Sequence, residues 1–400
     1  MKATAKKTPK VALVFSGGPA PSANAVISAA ALSFINARIP LIGFFDGFEH
    51  LENYDDKNRF SLVEGIHYLN IDSSISRIRN RRGVFLRTSR ANPGRAVHCL
   101  EDLQDPQKNR NLVNIINIFE RLGLNCLITI GGDDTLKTAN FLSLMGLPVI
   151  HIPKTIDNDY FGIPWTFGYW SSVQYYQEAL LNLKADGEST NSYFIVELMG
   201  RKAGWITYAS GIAGESVMMI SNEDIGGRVM DVEKIAAGIV ETILIRERKN
   251  KYYGVICLAE GLAEKLPDKI KPVEKDRHGN LLFGAAEVGR IIRDTAEKIY
   301  TKKTGRKKKI IYKQIGYETR NTPPSSFDVV LGSMLGYGAY KLYHEGNFGN
   351  MVSVSDNFQV ISVPFSELID PVTMLTRLRI VPKGSDFFVL KEALSFKLIE

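Results

Sequence analysis

Short apolar runs rich in β-branched residues recur along this chain, and each ends in glycine or a polar turn. They occupy residues 11–16, 126–130, 149–153, 193–198, 253–259 and 309–315. Helical patterns lie between several of them, at 24–36, 112–122, 135–145, 205–212 and 232–247. Strands that alternate with helices predict parallel sheets covered by helices on both faces. The pattern therefore predicts an α/β protein.

Most of these predicted strands are followed by a glycine-containing polar turn. In chain order the turns read SGGPAPSAN, GGDDT, PKTIDNDY, MGRKAG, EGLAE and GYETR. Open α/β sheets bind ligands outside the carboxyl ends of their strands. Six polar turns at six strand ends predict one shared cleft.

Composition narrows the class of protein. A chain of 400 residues that is 44% hydrophobic can bury a sizeable core, and we expect two domains. The sequence has no apolar stretch of the ~20 residues that a membrane span needs, and its basic N-terminal stretch lacks the apolar segment of a secretory signal. Cys99, Cys126 and Cys257 are few and scattered, which predicts reduced thiols in a cytoplasmic protein.

The net charge of +7 suits anionic partners without choosing among them. The densest basic run, residues 302–309, is interpreted first as a solvated loop, then as a phosphate-binding segment, and last as a nucleic-acid site. No RNA-recognition signature, zinc finger or basic helix with interleaved aromatic residues occurs, so we predict no nucleic-acid partner.

Two turns have the composition of phosphate and metal sites. The turn 16–24 ends a strand, contains Gly17 and Gly18 and precedes a helix whose free N–H groups would attract an anion, although a plain strand–helix turn remains open. In GGDDT, Asp133 and Asp134 stand side by side at the start of a helix. Capping of the helix can explain one of these two carboxylates but not the second. A role as a hard oxygen ligand for Mg²⁺ is the better explanation for one of them.

The turn PKTIDND contains one lysine and two aspartates. Asp157 and Asp159 point to one side if the segment is extended, so that one can act as a base toward a substrate hydroxyl. Lys154 supplies a point charge for phosphate. A structural ion-pair network is the alternative interpretation of the same residues.

The later turns add groups that recognise phosphate and hydroxyls. Arg201 and Arg320 can grip phosphate, and Glu260 and Tyr317 can bond sugar hydroxyls. His151 lies within a strand and is interpreted as a core residue, and the six histidines have no zinc-ligand spacing. The sum of these turns predicts phosphoryl transfer.

The turns GGDD, PKTIDND, MGRKAG, EGLAE and GYETR, in this order between about residues 10 and 340, resemble those of the phosphofructokinase family. Within that family the chain is most similar to the pyrophosphate-dependent members. The resemblance implies two Rossmann-like, three-layer α/β domains with mostly parallel sheets facing a central cleft. It places the first domain at 1–165 plus 322–385, the second at 166–321, and leaves 386–400 as a tail.

The resemblance also assigns a phosphoryl-donor site. It implies that Asp133 serves Mg²⁺ and that Gly17, Gly18 and Arg90 line the donor site. ATP-using relatives have GGDG where this chain has GGDD, so Asp134 would obstruct and repel the α-phosphate of ATP. A like-charge contact at 4 Å costs about 1 kcal/mol in water-like surroundings and about 4 kcal/mol at an effective dielectric of 20. Pyrophosphate is shorter and avoids that cost.

For the acceptor, the resemblance implies that Asp157 takes the proton from the 1-hydroxyl of fructose 6-phosphate. Lys154, Thr155 and Arg201 would complete the catalytic group. The residues that would bind the sugar phosphate are Thr155, Asp157, Asp159, Met199, Gly200, Arg201, Glu260, Tyr317 and Arg320. The implied reaction converts fructose 6-phosphate and pyrophosphate reversibly into fructose 1,6-bisphosphate and phosphate, in a homodimer or homotetramer.

Several positions depart from the family pattern. Ser22, Arg82 and Arg87 stand where relatives have glycine, and the two arginines would crowd the path of a nucleotide. Ser192 and Ile311 stand where bacterial ATP-using enzymes have arginines that reach the 6-phosphate of a neighbouring subunit, for which Lys309 or Lys313 are candidate substitutes. An ATP-dependent phosphofructokinase and a non-catalytic regulatory subunit therefore remain as alternatives.

Overall fold

A computed structural model describes residues 9–55, 62–271 and 283–395 of the chain. The chain divides into two compact units. The first contains Met1–Thr155, Tyr160–Gly168 and Pro323–Arg377, and the second contains Ile156–Asp159, Tyr169–Thr322 and Leu378–Glu400. Within the described ranges, no helix combines the length and the apolar character that crossing a membrane requires.

The strands form one sheet in each unit. They are β1 Val11–Phe15, β2 Leu41–Phe44, β3 Tyr68–Asn70, β4 Cys126–Gly131, β5 Val149–Pro153, β6 Tyr193–Leu198, β7 Met218–Ile220, β8 Gly254–Ala259, β9 Ile310–Ile315, β10 Asn350–Val354 and β11 Val360–Pro364. The first sheet has the order β11-β10-β5-β4-β1-β2-β3, and the second has the order β7-β8-β6-β9. Only the pairs β10–β11 and β2–β3 among these named strands are antiparallel.

The helices are α1 Ala23–Asn36, α2 Glu49–Glu52, α3 Arg110–Leu122, α4 Asp133–Leu144, α5 Tyr169–Thr190, α6 Trp205–Ala213, α7 Val232–Arg248, α8 Val288–Thr304, α9 Ser326–His344, α10 Phe365–Leu368 and α11 Asp386–Leu394. Helices α1–α4, α9 and α10 belong to the first unit, and the other five belong to the second. The predicted α/β class with mostly parallel sheets is confirmed.

Burial explains why the central strands are continuously apolar. Every residue of β1, β4, β5, β6 and β8 is buried, as expected of parallel strands covered on both faces. Strand β9 lies at the edge of its sheet, and its Lys313 and Gln314 are exposed. The edge position therefore accounts for the polar residues inside the run 309–315.

The units differ from the predicted domain boundaries at two segments and, by one to three residues, also at 166–168 and at 322. Residues 156–159 belong to the second unit rather than the first, and so does the chain from Leu378 onward. The second difference has a physical cause in the contacts of the C-terminal segment. The Arg379 N–H donates to the Asp159 carbonyl over 2.8 Å, and the Val381 N–H donates to the Glu223 carboxylate over 3.1 Å. No sequence motif marks those contacts.

Candidate active site

The six polar turns fall into two sets of three. The turns after β1, β4 and β5 follow adjacent parallel strands of the first sheet, and the turns after β6, β8 and β9 follow adjacent parallel strands of the second. Because parallel strands end at the same edge, each set is brought together within its own unit. The chain passes from the first unit to the second between Thr155 and Ile156.

Lys154 joins the three turns of the first unit. Its side chain is only 7% exposed, and its ammonium nitrogen donates to the Gly18 carbonyl over 2.7 Å. Its backbone N–H donates to the Gly131 carbonyl over 2.9 Å. One lysine thus brings a positive charge to the glycine pair after β1 while its backbone is fixed to the end of β4.

The GGDDT turn leads directly into α4, and its first glycine has no room for a side chain. A Cβ added at Gly131 would lie 2.2 Å from the Thr135 hydroxyl oxygen. Asp133 and Asp134 occupy the first helical turn, where Asp133 is partly buried and Asp134 is exposed. The helix dipole favours both carboxylates there. Only Asp134 is placed in open solvent at this turn.

The loop 82–90 approaches the glycine pair through its backbone. The Gly17 N–H donates to the Ser89 carbonyl over 2.8 Å, and the Thr88 hydroxyl donates to the Gly17 carbonyl over 2.6 Å. Arg90, predicted to line the donor site, follows directly and is partly buried. The loop 82–90 therefore lies directly against the turn 16–24.

The two arginines that replace glycine in this loop have different surroundings. The Arg87 guanidinium pairs with the Asp46 carboxylate at 2.8 Å and lies 4.5 Å from the centre of the Phe45 ring. Arg87 also adopts a left-handed backbone with φ of 57°. Arg82 is exposed. The Arg87 charge is therefore compensated by an acid of the first unit.

Ser22 adopts a conformation that favours glycine. Its φ is 71°, immediately before α1 begins. Its hydroxyl donates to the Asp328 carbonyl over 2.8 Å, at the first turn of α9. This hydrogen bond offsets part of the backbone strain of a serine in the left-handed region.

In the second unit, Asp157 lies beside the turn after β6. Its carboxylate accepts the Arg201 N–H over 3.4 Å, and the carboxylate is partly buried. Asn158 follows with φ of 55°, and Asp159 is buried. The predicted catalytic aspartate and the predicted transition-state arginine are thus adjacent.

The Met199–Arg201 turn is held by residues that no motif indicated. The Met199 N–H donates to the Tyr176 hydroxyl over 3.1 Å, and that hydroxyl donates to the Ile315 carbonyl over 3.3 Å. The Asn222 amide donates to the Arg201 carbonyl over 2.9 Å. A tyrosine on α5 and an asparagine after β7 therefore fix a turn far from them in the sequence.

Gly261 permits the closest backbone approach in this unit's turns. Its N–H donates to the Gly200 carbonyl over 3.0 Å, and a Cβ added at Gly261 would lie 1.9 Å from the Arg201 carbonyl oxygen. The turns after β6 and β8 consequently pack backbone against backbone. The glycine of EGLAE was visible in the sequence, but the sequence predicted a role only for Glu260 of that turn.

Glu260 shares its electrostatic surroundings with the other predicted acceptor residues. Burial and, to a smaller extent, the Asp157 charge raise the pKa of its carboxyl from 4.5 to about 7, against the opposing charges of Arg320 and Arg201. Arg320 lies with its guanidinium 4.8 Å from the centre of the Tyr317 ring, and Tyr317 is 64% exposed. An acid poised near neutral pH beside two arginines suits a polar, anionic ligand.

The two positions that lack the inter-subunit arginines differ in exposure. Ser192 is fully buried at the start of β6, where its hydroxyl contacts the Thr190 carbonyl over 3.3 Å. Ile311 is partly buried, while Lys309 and Lys313 are exposed. Of these positions, the two lysines present charge to solvent.

His151 lies in the core, as predicted. It is fully buried, with Thr129 and Tyr160 hydroxyls 2.8 and 2.9 Å from its two ring nitrogens, and burial lowers its pKa to about 3. Across the described part of the chain, no group of three or more His, Cys, Asp or Glu side chains is arranged to hold a metal ion.

Comparison with known proteins identifies the family. The model of the phosphofructokinase family matches residues 10–343. The chain belongs to the phosphofructokinase family. Two relatives named pyrophosphate–fructose 6-phosphate 1-phosphotransferase, from Thermotoga maritima and Naegleria fowleri, are 33% and 32% identical over 94% and 99% of this chain and 88% and 90% of their own. A Bacteroides thetaiotaomicron relative named ATP-dependent 6-phosphofructokinase 3 is 29% identical over 92% of this chain and 95% of its own.

Solved structures give the same fold. The pyrophosphate-dependent phosphofructokinase of Nitrosospira multiformis matches 97% of this chain and 91% of its own, with a TM-score of 0.69 and 19% identity. The T-state phosphofructokinase of Pichia pastoris has a TM-score of 0.68 and 19% identity, and this chain spans 35% of that longer chain. At these identities the match supports the phosphofructokinase fold and leaves the donor to be argued from the turns.

Proposed function

We propose that this protein is a pyrophosphate-dependent 6-phosphofructokinase. It transfers a phosphoryl group from pyrophosphate to the 1-hydroxyl of fructose 6-phosphate, giving fructose 1,6-bisphosphate and phosphate. The observation that carries the choice of donor is the exposed Asp134 in the first turn of α4, at the same sheet edge as the buried Lys154. The two relatives named for pyrophosphate support the same choice.

The donor loops (16–24, 82–90, 131–135 and 153–155) supply charge and backbone donors. Gly17, Gly18 and Arg90 would contact the donor, and Lys154 would neutralise pyrophosphate as a point charge. Asp134 adds a negative charge that a nucleotide α-phosphate would meet, whereas pyrophosphate ends before it. The donor loops thereby act as a filter for a short anion.

Mg²⁺ is the metal that this chemistry calls for, and Asp133 would hold it. A single carboxylate in the first turn of a helix fits Mg²⁺, which is usually bound by one or two carboxylates together with substrate phosphates. Once bound, the ion would neutralise charge on the phosphate oxygens.

The acceptor loops (156–159, 198–204, 259–265 and 315–320) would hold and activate the sugar phosphate. Asp157 would take the proton of the 1-hydroxyl as that oxygen attacks phosphorus and the bond to the departing phosphate breaks. Arg201 would stabilise charge on the transferred group, with Thr155 and Asp159 beside the base. Met199, Gly200 and Glu260 would contact the sugar, and Tyr317 and Arg320 would hold the 6-phosphate.

The first experiment compares donors. Formation of fructose 1,6-bisphosphate is measured with Mg²⁺ and equal concentrations of pyrophosphate or ATP. We expect turnover with pyrophosphate and little with ATP. Turnover with ATP alone would reject the proposed donor, and no turnover with either would favour the regulatory-subunit alternative. A cytoplasmic location and a homodimeric or homotetrameric state remain predictions.

Asp134 is tested by two variants that separate charge from bulk. Asp134→Gly removes both, and Asp134→Asn removes the charge alone. Relief of a like-charge contact worth about 1 kcal/mol predicts a rise of about 5-fold in kcat/KM for ATP in each variant. A further rise in the glycine variant would measure the steric share. If both variants keep their fold and gain no ATP activity, Asp134 does not select the donor.

A further inference from the structure

The C-terminal segment after β11 reaches the acceptor loops, although it lies beyond the residues 10–343 that the family model matches. Within this segment, residues 378–381 run beside the Asp157–Asp159 loop and the start of α6. All of these residues belong to the second unit. The acceptor loops are therefore completed by a piece of chain more than 200 residues away from Asp157.

Arg379 bonds both peptide carbonyls that follow Asp157. Its guanidinium donates through Nε and Nη2 to the Asn158 carbonyl over 3.3 and 3.0 Å. Its backbone N–H donates to the Asp159 carbonyl over 2.8 Å. Between these two bonds Asn158 has φ of 55°, in the left-handed region that asparagine adopts more readily than most residues.

The other side of Arg379 is fixed to α6. Its carbonyl accepts the Trp205 indole N–H over 2.8 Å, and its guanidinium lies 4.4 Å from the centre of the Trp205 ring. Two residues on, Val381 donates its N–H to the Glu223 carboxylate oxygen that also accepts the Gly204 N–H. Trp205 and Gly204 continue the turn that contains Arg201.

These contacts place one residue between the loop that carries Asp157 and the turn that carries Arg201. One direct bond joins those two elements: the Arg201 N–H donates to the Asp157 carboxylate over 3.4 Å. Arg379 adds a second connection on the backbone side of the same loop. Arg379 holds two successive carbonyls of the loop, one through its planar guanidinium and one through its backbone N–H. The peptide groups after Asp157 therefore have little freedom to rotate.

We propose that Arg379 is a positioning residue that fixes the orientation of Asp157 toward the 1-hydroxyl of the sugar phosphate. The proposal rests on the function proposed above for Asp157. Arg379 itself need not touch substrate, since its guanidinium is engaged by the loop and by Trp205. Its contribution therefore falls on kcat more than on substrate binding.

The test compares Arg379→Ala, Arg379→Lys and a matched control, Arg377→Ala. Arg377 is exposed, lies two residues earlier and carries the same charge. A displacement of a catalytic group by about 1 Å can cost 100-fold in rate, so we expect Arg379→Ala to lower kcat by about 100-fold with KM for fructose 6-phosphate little changed. Lysine retains one donor and should restore part of kcat. Arg377→Ala should behave as wild type.

Lys391→Ala separates positioning from docking of the C-terminal helix. Lys391 is 3% exposed and pairs with Asp224, so its loss should weaken the attachment of α11 and lower the melting temperature. None of the contacts given for Lys391 involves the Asp157–Asp159 loop, so kcat of Lys391→Ala should stay near the wild-type value. Added guanidinium ion at tens of millimolar should raise kcat of Arg379→Ala but not of the other variants.

Hydrogen exchange supplies a readout that needs no turnover. Peptides covering residues 156–160 should exchange faster in Arg379→Ala than in Arg377→Ala or wild type. The kinetic comparison uses whichever donor the wild-type enzyme accepts. If that donor is ATP, the proposed function is rejected, but the comparison of the Arg379 variants remains valid. Unchanged kcat and exchange in Arg379→Ala would overturn the proposal. The proposal would also be overturned if kcat fell in Lys391→Ala as well and if, in both variants, the loss of kcat followed the loss of stability.

Discussion

The donor loops of the first unit and the acceptor loops of the second achieve order in different ways. The donor loops carry the exposed side chains of Asp134 and Arg82, and backbone bonds such as Gly17 N–H to Ser89 and Lys154 N–H to Gly131 join their turns. The acceptor loops pack backbone to backbone at Gly261, with buried partners such as Tyr176 holding them from behind. We therefore expect exposed side chains to decide which donor is used, whereas substitutions in the acceptor loops should disturb a close backbone approach and buried hydrogen-bond partners.

The largest effect is expected where the acceptor loops carry the proposed base. Asp157→Asn keeps the shape and removes the proton acceptor, which predicts a loss of about 10²- to 10⁴-fold in kcat. The Arg201 N–H can still donate to the remaining amide oxygen, so the fold should persist. Steady-state kinetics with circular dichroism checks both points. Retention of a tenth or more of kcat would remove Asp157 from the role of base.

The next prediction tests whether the acceptor backbone is as constrained as its contacts indicate. Gly261→Ala forces a methyl group toward the Arg201 carbonyl, 1.9 Å away, so the two turns must separate. Overpacking of this kind costs about 1–3 kcal/mol of unfolding free energy, and we expect kcat/KM for fructose 6-phosphate to fall with it. Denaturant unfolding and kinetics measure the two effects.

Gly238→Ala is the matched control for that substitution. Gly238 is exposed on α7, and a Cβ added there meets no atom within 4 Å. Alanine at an exposed helical position should stabilise the protein by about 0.5–1 kcal/mol. If the two variants have the same stability and activity, the close approach at Gly261 does not constrain the acceptor loops.

A smaller effect is expected from the titration of Glu260. Its raised pKa of about 7 means that a fraction of the free enzyme carries a neutral Glu260 below neutral pH. If the carboxylate accepts sugar hydroxyls, kcat/KM for fructose 6-phosphate should rise as pH increases through about 7, and Glu260→Gln should lower it and flatten that rise. Ionisation of the substrate phosphate is common to both enzymes and cancels in their ratio.

The same pKa shift makes a prediction about stability with a definite sign. A carboxyl whose folded-state pKa is raised from 4.5 stabilises the fold fully below that value, and the contribution is lost as pH rises toward 7. The unfolding free energy of wild type should therefore fall relative to that of Glu260→Gln between pH 4.5 and 7. Denaturant midpoints across this range give the comparison, and parallel curves would contradict the raised pKa.

The smallest effect is expected in the donor loops, at Ser22. Ser22→Ala removes the hydroxyl bond to the Asp328 carbonyl and keeps the left-handed backbone, which should cost about 1 kcal/mol. Ser22→Gly loses the same bond and relieves the strain, so it should lie close to wild type. Thermal unfolding distinguishes them. Equal stability of the two variants would show that backbone strain at Ser22 is negligible.

The sequence predicted elements with a clear local pattern, although the long helices α8 and α9 were not among them. Strands with continuous apolar runs, such as β4, and amphipathic helices, such as α3, lie within two residues of the predicted bounds. Short edge strands such as β3 and β7, and the helix α5 that reads as mixed polar and apolar residues, were missed. Their stability comes from neighbours in the fold rather than from their own periodicity.

The candidate site shows the same division. Residues that carry charge in a strand-end turn, such as Lys154 and Asp157, could be identified because the turn sequence and strand end are local signals. Tyr176 and Arg379 act through hydrogen bonds to segments that lie far away in the chain; Arg379 and Asn158 are separated by 221 positions. A single sequence contains no local pattern that predicts such a pair.

Trp205 gives this protein an optical signal of its own. Its indole contacts the Arg379 guanidinium and stacks on the Phe387 ring, whose centre is 5.3 Å away. The chain has three tryptophans, so replacing Trp165 and Trp170 by phenylalanine leaves one tryptophan to be excited selectively, at the junction of α6 and the C-terminal segment. Detachment of that segment would expose the indole to water and shift its emission to longer wavelength. The end of the chain can thus be followed by fluorescence in real time, without an added dye.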